Sequence, residues 1–442
     1  MATTKTQDGG QKYGVTVQVA ALLVITMQYV QSFVTPGLAT VRAAYAGLGI
    51  DTVMIQQIQG IPSLMAIFGA ILVGILERYM KKKHILILAM VLMFMGSLAA
   101  FVPETVEGFW LLLATRVVLG LGRGMIFPMA SSFIADLFTG KKRDQLMSFK
   151  TAVGGISGSI FQIIGGMLAV LSWRYAFIGM LMAVPIALMI IAWLKEPEVK
   201  PAGTTADGKK GNPLKSITAI SWLIIIVAGI WNIFQFSYMT SISLAIAGVG
   251  LGDTGVTGWI SSLQTASCAV GALCYGAFLK GRLGGFDLPI AIALEGIGFF
   301  ILTHVITVPA YAVGTILYGF GFGLLNPALI LQLVKVLPRE GATLGLSLLA
   351  GSQNLFQFFS APVLAFLAPV LGVAGIKGAT GIESSALANW NVAWMLAVVY
   401  FIFVLVLILI GKAKAPQLIA GIKTPAPAAA EKMEAHEDDD QS

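Results

Sequence analysis

The 442-residue sequence predicts an all-α membrane protein, with twelve transmembrane helices in two pseudo-symmetric six-helix bundles. Three observations carry that expectation. The chain is 57% hydrophobic and only 11% charged, whereas a soluble domain carries about 25% charged residues. Apolar runs long enough to cross roughly 30 Å of hydrocarbon recur along its length. The two halves also share glycine-rich motifs at nearly one spacing.

The apolar runs place six spans in the first half, near 15–39, 54–76, 84–103, 110–137, 146–171 and 174–194. Six more follow near 217–247, 257–279, 287–308, 309–337, 342–370 and 390–411. The first run follows a polar stretch and is long enough to span, so it reads as a membrane helix rather than a cleaved leader. The expected organisation is an N-terminal tail over 1–13, a first bundle over 14–194, a linker over 195–216, a second bundle over 217–411 and a tail over 412–442. The linker is polar and rich in Pro, Gly and Lys, as interdomain connections are. The last tail is Ala/Pro-rich, ends in EDDDQS and has the composition of a disordered segment.

Charge placement orients the spans. Of 28 Lys and Arg residues, 22 fall in the termini and the loops on one side, and only Arg42, Arg174 and Lys377 fall in loops on the other. Loops rich in Lys and Arg face the cytoplasm. Both termini are therefore expected there, in a bacterial cytoplasmic (inner) membrane. The same distribution accounts for the net charge of +7 without a nucleic-acid partner. Cys268 and Cys274 share one apolar run and read as buried thiols, implying neither a disulfide framework nor a metal site. The chain has no Gly-x-x-x-x-Gly-Lys-Ser/Thr loop, which argues against an ATP-driven pump. His84, His304 and His436 are too scattered to share an enzymatic site. No cofactor and no enzymatic activity are expected.

The halves repeat each other. GLGRGMIFP at Gly120–Pro128 matches GFGFGLLNP at Gly319–Pro327, an offset of 199 residues. GAILVG at Gly69–Gly74 matches GALCYG at Gly271–Gly276, and Arg78 falls on Lys280, at an offset of 202. Each half has six spans and starts on the same side, so the repeats run parallel. That arrangement belongs to two-bundle transporters, whose site lies near the midplane between the halves.

On these residues the chain resembles the major facilitator superfamily over roughly residues 14–411. The loop Glu77-Arg78-Tyr79-Met80-Lys81-Lys82-Lys83 is similar to the family's acidic-Arg-x-Gly-Arg-Lys signature, with Met80 for Gly. Arg116 followed by Gly120 and Gly122 is similar to its Arg-x-x-Gln-Gly-x-Gly motif, with Leu119 for Gln. Asp136 to Arg143 and Trp173-Arg174-Tyr175-Ala176-Phe177 fall where the family has similar groups. The resemblance implies secondary transport by alternating access. It also implies that Arg116 serves proton coupling or substrate binding, and that the ninth span is a peripheral support. Drug–proton antiporters of that superfamily carry a Gly-Pro kink in the fifth span, which this chain lacks.

Intramembrane charge is costly and marks function by default. Arg116 and Arg123 lie seven residues apart, nearly two turns. They are expected to project from one face of the fourth span into a cavity lined with guanidinium. The plainer alternative is that they bond helix-end carbonyls or a carboxylate. Glu295 is the single carboxylate well inside an apolar run. It is the candidate proton carrier, the alternative being a carboxyl that only fastens helices together. Amide stripes are expected to line the cavity: Gln28 and Gln31 with Thr35, Asn232 and Gln235, and Gln353 and Gln357 with Ser360. Interhelical bonding is the competing role. Glu77, Arg78, Asp136 and Arg143 are the candidate gate, ion pairs that would hold the halves shut on the cytoplasmic side.

The expected function is transport of a small organic anion, a carboxylate, by proton symport or anion exchange. Cationic groups outnumber acidic ones along the presumed path. The alternative is proton-coupled efflux of lipophilic, drug-like compounds. Expected partners are the organic substrate, protons or a counter-anion, and membrane lipids, with the chain acting as a monomer.

Overall fold

A computed structural model describes residues 15–414 apart from 139, 195, 197–216, 280–281, 284–285, 338–341, 372–375 and 378–382. Both tails and almost all of the expected linker thus lie outside the described residues. Twelve helices are long and apolar enough to cross a membrane. They are α1 (Thr16–Ala44), α2 (Thr52–Leu76), α3 (Lys82–Phe101), α4 (Val106–Leu137), α5 (Ala152–Leu171) and α6 (Trp173–Trp193). The second half supplies α7 (Ala219–Gly248), α8 (Thr254–Leu279), α9 (Asp287–His304), α10 (Val308–Val336), α11 (Leu344–Val370) and α12 (Ala386–Ile410). Helical structure precedes α5, starting at Gly140. One small departure from an all-α chain precedes α12, where β1 (Ile376–Lys377) pairs antiparallel with β2 (Glu383–Ser384).

Each span sits close to its sequence-based position. One visible shift is in α1, which continues five residues past its expected end at 39. Its chain tightens into 3-10 turns over Met27–Phe33 and Thr35–Gly37 and then resumes as α-helix from Leu38. Several helices start on side-chain caps that satisfy otherwise orphaned N–H groups. Thr105 caps α4, Thr218 caps α7, Asp253 caps α8 and Thr307 caps α10.

Two cores form, one from residues between Val17 and Leu194 and the other from residues between Ile217 and Val404. The sequence repeat reappears as repeated packing. Gly120 of α4 packs on Pro62 of α2, and Gly319 of α10 packs on Gln264 of α8. Gly124 meets Ala66, and Gly323 meets Cys268. Gly122 meets Ala89 of α3, and Gly321 meets Ala291 of α9. A side chain at any of these glycines would run into the neighbouring helix, so the motif encodes two identical close crossings per half.

The halves meet along α5 with α8 and along α2 with α11. The hydrogen bonds joining them cluster away from the side where α1 begins and α12 ends, here the terminal side. Ser243 Oγ donates to Pro36 O at 2.5 Å and accepts from Ala39 N at 3.0 Å. Gln56 donates to Ser241 at 2.9 Å, and Thr254 donates to Gly166 O at 3.0 Å. Ser159 donates to Ser262 O at 3.1 Å. Toward the terminal side, neither α4 with α10 nor α4 with α11 forms a packed interface among the described residues. Among the described residues the halves are thus bonded from the far side to mid-span and parted between α4 and α10 or α11 on the terminal side.

Candidate substrate site

The tightened segment of α1 brings Gln28 and Gln31 into register, because residues three apart eclipse in a 3-10 helix. Gln31 is the hub of a polar chain spanning three helices. Its Oε1 accepts from Arg123 Nη1 of α4 at 2.9 Å. Its Nε2 donates to Gln59 O of α2 at 2.8 Å and also reaches Gln59 Oε1. Gln59 Nε2 then donates to Thr35 Oγ1 at 3.0 Å. The Gln28 side-chain oxygen and the Arg123 Nε are buried with no partner. Among the described residues no ion pair forms on Arg123.

Arg116 departs from expectation. It is fully buried inside the first bundle, and its Nη2 donates to Gly96 O of α3. Its Nε and Nη2 reach Thr115 Oγ1 at 3.3 and 3.1 Å, and its guanidinium lies 4.7 Å from the Phe177 ring centroid. The acceptor lies where α3 tightens into 3-10 turns from Gly96, and a carbonyl oxygen has a second lone pair for such a donor. Two turns of helix align the Cα atoms of Arg116 and Arg123, but the long side chains reach different neighbours. They do not share a cavity.

In the second half, α7 divides its amides between two directions. Asn232 Oδ1 accepts from Gln357 Nε2 of α11 at 3.1 Å, and Gln353 Nε2 donates to Asn326 Oδ1 of α10 at 3.0 Å. Gln353 and Gln357 remain half-buried. Gln235 is a second correction: it turns into the bundle and donates to Glu295 Oε1 at 2.9 Å. Trp231 Nε1 donates to the other oxygen, Oε2, at 3.0 Å. Glu295 is thus a fully buried carboxyl held by two N–H donors from α7, and Gln235 Oε1 has no partner.

The expected gate is also rearranged. Lys82, at the start of α3, takes Asp136 at 2.6 Å and lies 3.8 Å from Glu77. These ion pairs join helices of the first half rather than the two halves. Lys82 wins Asp136 because the same ammonium also donates to Ser132, one turn back from Asp136 on α4. The backbone amides of Lys82 and Lys83 donate to Glu196 at 2.8 and 2.9 Å, which caps α3 with a carboxylate. Arg143 has a partner of its own.

The model of the Major Facilitator Superfamily matches residues 19–361. The chain belongs to that superfamily. It is 27% identical over 248 residues to Multidrug resistance protein 1 of Bacillus subtilis (strain 168), covering 54% of this chain and 61% of that protein. It is 29% identical over 147 residues to the D-xylose transporter of Levilactobacillus brevis, covering 30% of this chain and 29% of that one. The matched region spans less than two thirds of either relative. Among solved structures, the nucleoside transporter NupG superposes with a TM-score of 0.68 at 14% identity, covering 88% of this chain and 98% of the other. That likeness establishes the fold.

Within this superfamily member the sequence reading missed Gln59 and Lys82 as site residues. The run Gln56-Gln57-Ile58-Gln59 held the first signal, three amides within one turn of a membrane helix. Each takes a different partner: Ser241, Phe358 O and Thr35. Nothing in the spacing distinguished Lys82 from its two lysine neighbours.

Proposed function

We propose that this secondary transporter carries a small organic anion, a carboxylate, by alternating access, with Arg123 as the group that meets it. Arg123 carries the reading. A guanidinium offers five N–H donors in a planar fork, and here one bond to a neutral amide holds it while, among the described residues, no carboxylate balances it. The remaining donors suit a bidentate bond to a carboxylate. The chain Gln31–Gln59–Thr35 orients the fork from behind, and Asn232, Gln353 and Gln357 supply neutral polar groups from the opposing half.

The Lys/Arg-rich terminal side is the cytoplasmic face in this reading, so the parted state is inward-facing. Movement is driven by proton symport or anion exchange. Glu295 is the candidate proton carrier, since a change in its charge would act directly on Trp231 and Gln235 of α7. A second reading, efflux of lipophilic compounds, is favoured by the name of the Bacillus relative, a multidrug resistance protein.

The test is a thermal-shift screen of the purified protein against organic acids, neutral solutes and lipophilic cations. A ligand at 100 times its Kd stabilises the folded state by about 2.7 kcal/mol. Stabilisation by a carboxylate that disappears in Arg123→Ala supports the anion reading. Stabilisation by lipophilic cations alone overturns it in favour of efflux.

A further inference from the structure

Besides Arg116, another buried cation lies on the terminal side of Arg123 and takes no part in the network around Gln31. Lys150 sits in the helix that leads into α5, two residues before the span begins. It is only 7% exposed. Its Nζ donates to Ser131 Oγ of α4 at 2.6 Å and lies 4.1 Å from the centroid of the Phe127 ring. Ser131 in turn donates to Phe127 O at 2.9 Å. An ammonium has three N–H donors, and both of these partners are neutral. Among the described residues no ion pair forms on Lys150. The nearby acid on α4, Asp136, is already bound by Lys82 at 2.6 Å.

Arg123, Phe127 and Ser131 follow one another at four-residue intervals, so they share a face of α4. Eight residues of helix span about 12 Å, which sets Lys150 between one and two turns nearer the terminal side than Arg123. That is where α4 and α10 are parted and where Phe127 is 55% exposed. A buried, uncompensated charge is costly unless something charged comes to meet it. A cation at the mouth of an open cavity also raises the local concentration of anions.

We propose that Lys150 is a second station for the transported organic anion, receiving its carboxylate at the terminal-side mouth and passing it along α4 to Arg123. This rests on the anion reading of the site. The ammonium is held by one hydroxyl and one ring face, so an arriving carboxylate displaces only neutral contacts. Phe127 separates the two cations and gives the substrate's apolar part a surface to slide over.

The experiment measures uptake into proteoliposomes from the terminal side, with lactate, pyruvate and succinate each as probe. Lys150→Met, Lys150→Arg and Arg123→Gln are compared with the unaltered protein. For an acid that the unaltered protein carries, Lys150→Met is expected to raise the half-saturation concentration about tenfold, leaving the maximal rate within about twofold. Lys150→Arg keeps the charge and stays within about threefold of the unaltered value. Added salt screens the station, so the half-saturation concentration should respond to salt in the unaltered protein and much less in Lys150→Met. A helix-packing role for Lys150 would not produce that salt response.

An unchanged half-saturation concentration in Lys150→Met, with transport lost in Arg123→Gln, overturns the station and leaves the anion reading standing. Failure of the unaltered protein to carry any of the three acids overturns both. If Lys150→Met does not fold, labelling of the unaltered protein with pyridoxal phosphate and borohydride decides. Labelling of Lys150 that a carried acid prevents supports the station, whereas no labelling, or labelling without protection, overturns it.

Discussion

Replacing Glu295 separates two consequences of one buried carboxyl. Its oxygens accept from Trp231 Nε1 at 3.0 Å and Gln235 Nε2 at 2.9 Å. Glu295→Gln preserves shape and keeps one oxygen for Trp231, but it turns an –NH2 group toward the –NH2 of Gln235. The remedy is already present. Gln235 Oε1 is buried without a partner, so rotating that amide end for end presents an acceptor to the new donor. Two bonds are then kept and the Gln235 –NH2 replaces its oxygen as the unpaired group, so the net cost should stay within roughly 1 kcal/mol.

Glu295→Ala has no such remedy. It strands both donors, at roughly 1–3 kcal/mol each, and it opens a cavity where the Glu295 side chain packs against Gly321. A total of roughly 2–6 kcal/mol before the cavity contribution is expected. Thermal unfolding of the purified variants in one detergent measures the difference. Equal losses in the two variants would refute the rotating amide and with it the account of how this carboxyl is held. Transport supplies the second reading of the same variants. If Glu295 carries the proton, Glu295→Gln abolishes the dependence of uptake on the pH gradient, and unchanged dependence eliminates that role.

Arg116 makes no contact with the proposed path, so Arg116→Met should leave the half-saturation concentration within about twofold. By relieving a buried charge it should leave thermal stability unchanged or higher, as apolar replacements of buried charges often do; a tenfold rise in half-saturation concentration would return Arg116 to the substrate. Ser243→Ala removes both bonds between α7 and the Pro36–Ala39 turn of α1. It should speed amide hydrogen exchange across residues 36–45, read by mass spectrometry, and unchanged exchange would show that these bonds do not hold the far side closed.

The twelve spans were legible because hydrocarbon demands long apolar runs, and the fold was legible because its glycines recur. Gly120, Gly122 and Gly124 mark crossings that any side chain would obstruct, so sequence and packing carry one message there. The polar network was only partly legible. Gln31 and Arg123 were identified singly, but their bond depends on the 3-10 tightening of Met27–Phe33, which no residue pattern announces. Spacing placed Arg116 beside Arg123 and Gln235 beside Asn232, and both pairs diverge. Helical periodicity fixes where a Cα lies, whereas a long side chain goes wherever an acceptor is open. For Arg116 that was the Gly96 carbonyl of α3, and for Gln235 a carboxyl on α9.

The far-side seal is made of hydroxyls, amides and carbonyls, and on that side no ion pair bridges the halves among the described residues. Neutral bonds of this kind contribute roughly 0.5–1.5 kcal/mol each, and in the alternating-access reading proposed above they are exchanged one at a time for water as the halves rock. The closed and open forms then differ by a shallow free-energy step built from many small latches. A cargo that binds one form tenfold better than the other supplies about 1.4 kcal/mol, a sizeable share of such a step. In that reading, modest selectivity between states is enough to turn the cycle.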